Sequence, residues 1–243
     1  MTTTLPTTYT LPMQQDVALF HDSFGMPNLI ATPGPLPLDR IELRIGLIRE
    51  EGVVELREAI EANDIVAIVD ALVDTVYVAL GALVEMGVDA LEITVRPEMN
   101  AVTEQLALLA GNGNFQWCRV ANEVHLRELE DAFLAADKEK ARYFLSVIAE
   151  DALQTLTRSG IDPQPFFDEV QRANMSKLGA DGKPVHSRGM ELDGYPKGKV
   201  LKGANYSPPD LAAIYARLYG DAPSVDATAT DSDELARGVR PTA

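Results

Sequence analysis

The sequence is poor in the side chains that form covalent cross-links and thiolate metal sites. Its 243 residues include one cysteine, Cys118, and three histidines. A single cysteine excludes an internal disulfide and gives no metal-ligand spacing. His21, His125 and His186 also show no ligand spacing; we expect the first on a helix face and the other two at the surface.

Positive charge is scarce as well. Lysine and arginine total 21 against 37 acidic residues, a formal net charge of −16. Because a phosphate backbone attracts basic side chains, we expect no stable nucleic-acid partner. The N-terminus lacks the basic and apolar regions of a secretory signal. The one long apolar run, residues 65–84, contains two aspartates that would cost roughly 5–7 kcal/mol in a bilayer. We therefore predict a soluble, cytoplasmic protein without a membrane partner.

No stretch alternates convincingly between apolar and polar residues, as a strand with one exposed face would. The apolar residues instead recur with the 3.6-residue period of helices, so we predict an all-α bundle. At most a minor strand is expected, near 93–120 or 183–202. The predicted helices include Asp16–Phe24, capped by Asp16, then Leu38 to Ala62, and a third from its cap, Asp64, to Gly87.

Composition also divides the chain. The predicted divisions are a flexible arm (1–15), one all-α domain (16–220) with inserted helices (about 92–160) and a basic loop (172–203), and a disordered acidic tail (221–243). The basic loop has no periodicity, and we expect it to become ordered on a polyanion. Its basic residues are Arg172, Lys177, Lys183, Arg188, Lys197, Lys199 and Lys202.

Two pairs of carboxylates carry the strongest functional signal. Asp70 and Asp74 interrupt an otherwise apolar helix, and Glu51 and Glu55 lie on the helix before it. Residues four apart share one helix face, so antiparallel pairing of the helices would bring all four together. Like charges this close stay ionised only beside a cation, and Mg²⁺ prefers oxygen ligands. We predict an acidic metal site between these helices; the alternative is a buried helix with protonated aspartates.

A partial internal repeat covers the same hairpin. With an offset of 73 residues, Glu55–Asp89 and Glu128–Asp162 share 11 of 35 positions. Chance similarity between two amphipathic hairpins is the alternative. In a true repeat, Tyr143 and Val147 would replace Asp70 and Asp74, so the second copy would be a structural half without the acidic site.

Several ordered motifs resemble a known family. They are FHxxFGxP (Phe20 to Pro27), LIREE…EL (Leu47 to Leu56), AIEANDIVAIVDALVDTVYVALG (Ala59 to Gly81), NMSKLGADGKP (Asn174 to Pro184) and GKVLKGANYSPPDL (Gly198 to Leu211). Together they resemble the MazG-like all-α nucleoside triphosphate pyrophosphohydrolases, in particular the phosphoribosyl-ATP pyrophosphohydrolase-like proteins of phages and bacteria.

The resemblance implies a helical bundle, dimeric or tetrameric, with two or three Mg²⁺ or Mn²⁺ ions. It implies hydrolysis of a (deoxy)nucleoside triphosphate between the α and β phosphates, which gives a nucleoside monophosphate and pyrophosphate. We expect a homodimer, although the insertion of about 73 residues is not typical and its helices could replace those of a partner subunit.

The family's acidic ligands fall on Glu50, Glu51 and Glu55 and on Asp70 and Asp74. The usual motif is EExxE, whereas this chain reads EEGVVE, one residue longer. Which of Glu50 and Glu51 is a ligand is therefore open. We assign metal binding to Glu51 with the other three, and assign Glu50 to orienting or deprotonating the attacking water.

The family's substrate-contacting tail matches Asn174 and Lys177. We expect Lys177, with Lys199 and Lys202, to hold the outer phosphates as point charges. Tyr77 is a candidate for stacking on the base, although a plain core role is the alternative. Two rival functions remain: phosphoribosyl-ATP hydrolysis, and a non-catalytic nucleotide- or metal-binding assembly protein.

Overall fold

The computed structural model describes residues 11–29, 36–91, 113–195 and 197–220. Most of the predicted arm, the first part of the predicted insertion and the predicted acidic tail lie outside the described residues.

The described chain is built from helices. In order they are α1 (Pro12–Ser23), α2 (Leu38–Arg49), a π-helical turn (Glu50–Glu55), α3 (Leu56–Glu61), α4 (Ile65–Met86), α5 (Gly113–Leu134), α6 (Lys138–Arg158), α7 (Gln164–Met175), α8 (Met190–Asp193) and α9 (Leu211–Tyr219). Across the described ranges, strand pairing is limited to one antiparallel bridge between His186 and Val200. The predicted all-α fold is confirmed.

The first helix begins earlier than the sequence predicted. It starts at Pro12, which suits the first turn because a proline lacks an N–H that would have no helical partner there. Asp16 therefore lies inside α1, and its predicted role as the cap is wrong. Val17 and Phe20 are buried against the rest of the bundle.

The acidic hairpin, residues 38–86, has the predicted ends and one unpredicted feature. Asp64 caps α4 by accepting hydrogen bonds from the N–H groups of Val66 and Ala67, and Gly87 ends it with a φ of 66°. Between α2 and α3, however, the Leu56 N–H bonds to the carbonyl of Glu51, five residues earlier. Such a π-helical turn accommodates one extra residue, which explains how EEGVVE fits where EExxE is usual.

The second hairpin, α5 and α6, packs directly on the acidic hairpin. Helix α4 lies along α6, α5 contacts α2, α3 and the π-helical turn, and α1 and α7 cover another side of α4. Leu72, Leu83, Leu145 and Ile148 are fully buried in this core. Although α4 is long and apolar enough to cross a membrane, it is largely buried inside the bundle. It is thus a core helix of the bundle, and the soluble, cytoplasmic character of the protein stays a prediction.

The two hairpins share the geometry of their turns at the predicted 73-residue offset. Asn63 and Ala136 both have a positive φ, 50° and 53°, and the aspartate after each caps the following helix. Gly87 and Gly160 both take a left-handed conformation, with φ of 66° and 78°. The repeat itself, and the pseudo-twofold axis that would relate its two copies, stay predictions.

A buried ion network joins α1, α2 and α4. The Glu85 carboxylate is fully buried and accepts hydrogen bonds from Arg40 and, at 2.8 Å, from Arg44. Arg44 also lies 3.1 Å from the Nε2 atom of His21. The guanidinium fits because residue 81 is glycine: a Cβ there would lie 2.7 Å from Nη1 of Arg44. Breaking such a network leaves a buried charge uncompensated.

We predict that Gly81→Ala destabilises the protein by about 1–3 kcal/mol, because the added methyl displaces the Arg44 guanidinium from a packed site. The matched control is Gly46→Ala on α2, where nothing lies within 4 Å of the added Cβ. That control should be neutral or stabilising by up to about 1 kcal/mol, since alanine is the better helix former. Chemical unfolding of both variants measures the difference; equal stabilities would show that Arg44 moves without loss.

Candidate functional site

A pocket of about 570 Å³ opens between the acidic hairpin and the basic loop. Its lining includes Glu51 and Asp74 together with Lys177, Lys199 and Lys202. Acidic and basic groups from distant parts of the chain thus line one cavity. A volume of several hundred Å³ is typical of small-molecule sites.

The four predicted carboxylates form one electrostatic cluster. Burial, followed by the charges of Asp74 and Glu55, raises the pKa of Glu51 to about 9. Burial and Asp70 raise the pKa of Asp74 to about 7, against the opposing effect of Lys177. Burial and Glu55 also raise the pKa of Asp70. Burial and mutual repulsion therefore both disfavour the ionised forms of these carboxylates.

The donor chemistry of this cluster fits a hard divalent cation. Within the described ranges, no three acidic, histidine or cysteine side chains already stand in an arrangement that could hold a metal ion. The cluster nevertheless offers oxygen donors alone, and Oε2 of Glu51 is buried without a hydrogen-bond partner in the described part of the chain. Carboxylate oxygens are the ligands that Mg²⁺ and Mn²⁺ prefer. Coordination requires these side chains to turn toward a common point.

Glu50 lies apart from the cluster. Its side chain is exposed and does not line the pocket, as is also true of Glu55; unlike Glu55, however, Glu50 is not among the charges that raise the pKa of Glu51, Asp70 or Asp74. Glu51, the next residue, is half-buried and lines the pocket. The geometry therefore favours Glu51 over Glu50 as the residue that faces a ligand.

The C-terminal end of α7 contributes the cation nearest to the carboxylates. Lys177 donates a hydrogen bond to Oδ1 of Asn174, one turn earlier. Burial lowers the pKa of Lys177, Asp74 raises it, and Lys202 and Lys199 lower it again. Burial and neighbouring cations disfavour the charged form of a lysine, and a bound anion would stabilise that form.

The basic loop has an internal structure, and its antiparallel bridge falls in the region 183–202 where a minor strand was predicted. The Ser187 N–H donates to the carbonyl of Lys199 at 2.8 Å, and the Leu201 N–H donates to the carbonyl of Val185 at 2.8 Å. Arg188 pairs with Asp193 at 2.8 Å. These bonds contribute to the order of the loop, and its further ordering on a polyanion stays a prediction.

Some aromatic residues differ from expectation. The Tyr77 ring is 7% exposed and packs against Phe20 and Phe167, and its hydroxyl donates to Gln171 at 2.7 Å. Tyr77 thus forms a packed wall rather than an open stacking surface. The exposed Tyr195, which our sequence analysis missed, lines the pocket beneath the ammonium group of Lys199, 5.0 Å from its ring centroid.

The histidines were also predicted imperfectly. His21 is buried, and its Nδ1 lies 2.8 Å from the carbonyl of Pro27. His125, which we expected at the surface, is buried 3.5 Å from Asp151. The sequence carries a signal only for His21, which belongs to the FHxxFGxP motif, because the burial of His125 depends on how the second hairpin packs.

Comparison with known families matches residues 19–96 to the family described as phosphoribosyl-ATP pyrophosphohydrolase. Over this segment the chain is similar to the MazG-like, phosphoribosyl-ATP pyrophosphohydrolase-like all-α proteins. The match contains the whole acidic hairpin, and it indicates a nucleotide pyrophosphohydrolase. The resemblance predicted from the motifs is confirmed at this level; the phage and bacterial branch stays a prediction.

The other two comparisons give no match: no curated protein and no solved structure is significantly similar to the chain. The family segment ends before α5, so the second hairpin and the basic loop lie outside it. The Asn174 and Lys177 assignments therefore depend on the motif resemblance and on the pocket geometry.

We predict that Glu51→Gln stabilises the protein in chelator, and increasingly so as the pH rises from 5 to 9. An acid whose pKa is raised by folding stabilises the fold at low pH and loses that contribution as pH rises through the folded value. The unfolding free energy of the parent should therefore fall relative to the variant by at most about 1.4 kcal/mol per pH unit. Glu61→Gln, at an exposed acid on α3, is the control and should follow the parent. A difference independent of pH would contradict a crowded Glu51.

Proposed function

We propose that this protein hydrolyses a (deoxy)nucleoside triphosphate between the α and β phosphates in a reaction that depends on Mg²⁺ or Mn²⁺. The observation that carries the proposal is the single pocket lined both by Glu51 and Asp74 and by Lys177, Lys199 and Lys202. A triphosphate bound with divalent cations has this charge pattern, with cations at one side and phosphate oxygens at the other.

The residues that would hold two or three cations are Glu51, Glu55, Asp70 and Asp74. Bound there, the metal would neutralise charge on the phosphates and lower the pKa of a coordinated water. The raised pKa values of Glu51 and Asp74 support this assignment, since burial and neighbouring acids outweigh the positive charge that the protein alone places beside them.

The basic residues act on the phosphate side of the pocket. Lys177, Lys199 and Lys202 attract the outer phosphates and stabilise the charge on the departing pyrophosphate. Asn174 holds the ammonium group of Lys177 through its side-chain oxygen. That bond fixes the lysine where it faces Asp74 rather than leaving it free to turn into solvent.

Glu50 is proposed to orient or deprotonate the attacking water from the solvent side. Its carboxylate is exposed, and Glu50 immediately precedes Glu51 in the chain. In this role its side chain must turn toward the pocket. Tyr77 is proposed to bound the nucleoside end as a rigid wall, because its ring and hydroxyl are both held by the core.

The runner-up substrate is phosphoribosyl-ATP, which the description of the matching family names. It carries the same triphosphate, so the acidic cluster does not separate the two substrates. A panel of (d)NTPs and phosphoribosyl-ATP, with detection of pyrophosphate, separates them. Failure of every substrate to give pyrophosphate, together with binding of nucleotide, would favour the non-catalytic alternative.

Asp74→Asn should lower kcat by roughly 100-fold or more, because it removes charge where the transition state needs it compensated. The fold should remain, since the amide has the size of the carboxylate. Asp39→Asn, at an exposed acid on α2, is the control and should keep full activity. Steady-state pyrophosphate release at saturating Mg²⁺ measures both; an active Asp74→Asn protein would refute the site.

Lys177→Ala should lower kcat/KM by about 10- to 150-fold, because one charge-assisted hydrogen bond is worth roughly 1.5–3 kcal/mol. Lys183→Ala is the matched control: it belongs to the same basic loop but is exposed and does not line the pocket. The same pyrophosphate assay applies. If the two variants are equally active, Lys177 does no more than any other charge of the loop.

A further inference from the structure

The π-helical turn takes the Gly52 carbonyl away from the N–H that would bond to it in an α-helix. In an α-helix the Leu56 N–H would bond to Gly52, but here it bonds to Glu51 instead. Gly52 is buried, and a buried carbonyl needs another donor. The turn that carries Glu51 and Glu55 therefore depends on support from outside its own helix.

That support comes from the second hairpin. Asn122 of α5 is fully buried, and its Nδ2 donates to the Gly52 carbonyl at 3.1 Å. The contact is tight: a Cβ on Gly52 would lie 3.0 Å from Nδ2 of Asn122 and 3.3 Å from the Thr75 side chain. Thr75 follows Asp74 on α4, and its hydroxyl is held by the Ala71 carbonyl at 2.7 Å. Gly52 is thus fixed between α5 and α4.

We infer that Asn122 is a positioning residue for the carboxylate cluster: its amide holds the π-helical turn so that Glu51 and Glu55 face Asp70 and Asp74 across the hairpin. Asn122 lies outside the segment that matches the family, so the second hairpin would supply a part of the site that the family segment lacks. The inference rests on the metal binding in the proposed function, and it gives the second hairpin a functional role.

The geometry explains why one side chain matters this much. Glu51 and Glu55 flank Gly52 within the turn, and the bond from Asn122 to the Gly52 carbonyl favours the rare π-helical turn over a regular α-helix at this segment. A return to α-helix changes the register by one residue and rotates Glu51 relative to Glu55. Outer partners that orient metal ligands typically change affinity by roughly 10- to 100-fold when they are removed.

The test measures Mn²⁺ binding to the intact chain without nucleotide, by the loss of the electron paramagnetic resonance signal of free Mn²⁺. Asn122→Leu removes the donor at similar size, and Asn122→Ala removes it without overpacking should leucine not fit. Both variants should raise the Mn²⁺ dissociation constant about 10-fold or more. Both should also speed hydrogen exchange in the peptide that contains residues 50–57.

The matched control is Ser146→Ala in α6. Ser146 is also buried in the second hairpin, accepts from the Leu91 N–H at 2.9 Å and donates to the Arg142 carbonyl at 2.8 Å. Its loss should lower stability without changing Mn²⁺ affinity by more than twofold. Measurements are made well below the melting temperature of every variant, so that global unfolding contributes nothing.

The outcomes separate this inference from the proposed function. If the parent binds Mn²⁺ and the Asn122 variants bind it equally with unchanged exchange at 50–57, the positioning role is overturned and the proposed function stands. If Ser146→Ala weakens binding as much, Asn122 acts only through stability, which also overturns the inference. If the parent binds no Mn²⁺, the metal site itself fails, and the inference fails with it.

Discussion

Carboxylates crowded into a partly buried space are the constraint on which the rest of this structure depends. With a pKa near 9 for Glu51 and near 7 for Asp74, the protein alone keeps protons on groups that water would ionise. The arrangement costs stability, because a carboxylate that is ionised and hydrated in the unfolded chain is held in its protonated form in the folded protein. The fold tolerates the cost because α4 buries apolar residues such as Leu72 and Leu83 along the same helix.

Compensation for this charge comes from a distant part of the chain, which shapes the pocket. Lys177 follows α7, about a hundred residues after Asp74, and the other pocket lysines lie still later. None of them forms a close ion pair with the described cluster: the ion pairs of the described residues lie elsewhere. A gap therefore remains between acids and bases. A polyanion bound together with cations would supply both charges, the cations beside the carboxylates and the anion beside the lysines. Either one alone would leave one of these two groups without a counter-charge.

The features that the sequence predicts correctly are those set by residues close together in the chain. The cap at Asp64, the end at Gly87 and the shared face of Asp70 and Asp74 depend only on neighbours along the chain, and all could be predicted. The roles of Asn122 and His125 could not, because a buried amide or imidazole is set by contacts across hairpins. The extra residue in EEGVVE was visible in the sequence. The π-helical turn that accommodates it could not be predicted, because the hydrogen-bond donor to its Gly52 carbonyl lies 70 residues away.

The second hairpin also bears on the predicted homodimer. Its turns have the same backbone geometry as those of the acidic hairpin. At the positions that correspond to Asp70 and Asp74 it has Tyr143 and Val147, so it adds no second pair of carboxylates that would repel each other. Helix α4 is already covered by α6, with Val76 and Leu83 fully buried within a single subunit. A partner subunit is therefore not needed to cover the apolar face of α4. A homodimer, as the resemblance implies, would have to form through another surface and would leave the interface between the hairpins intact.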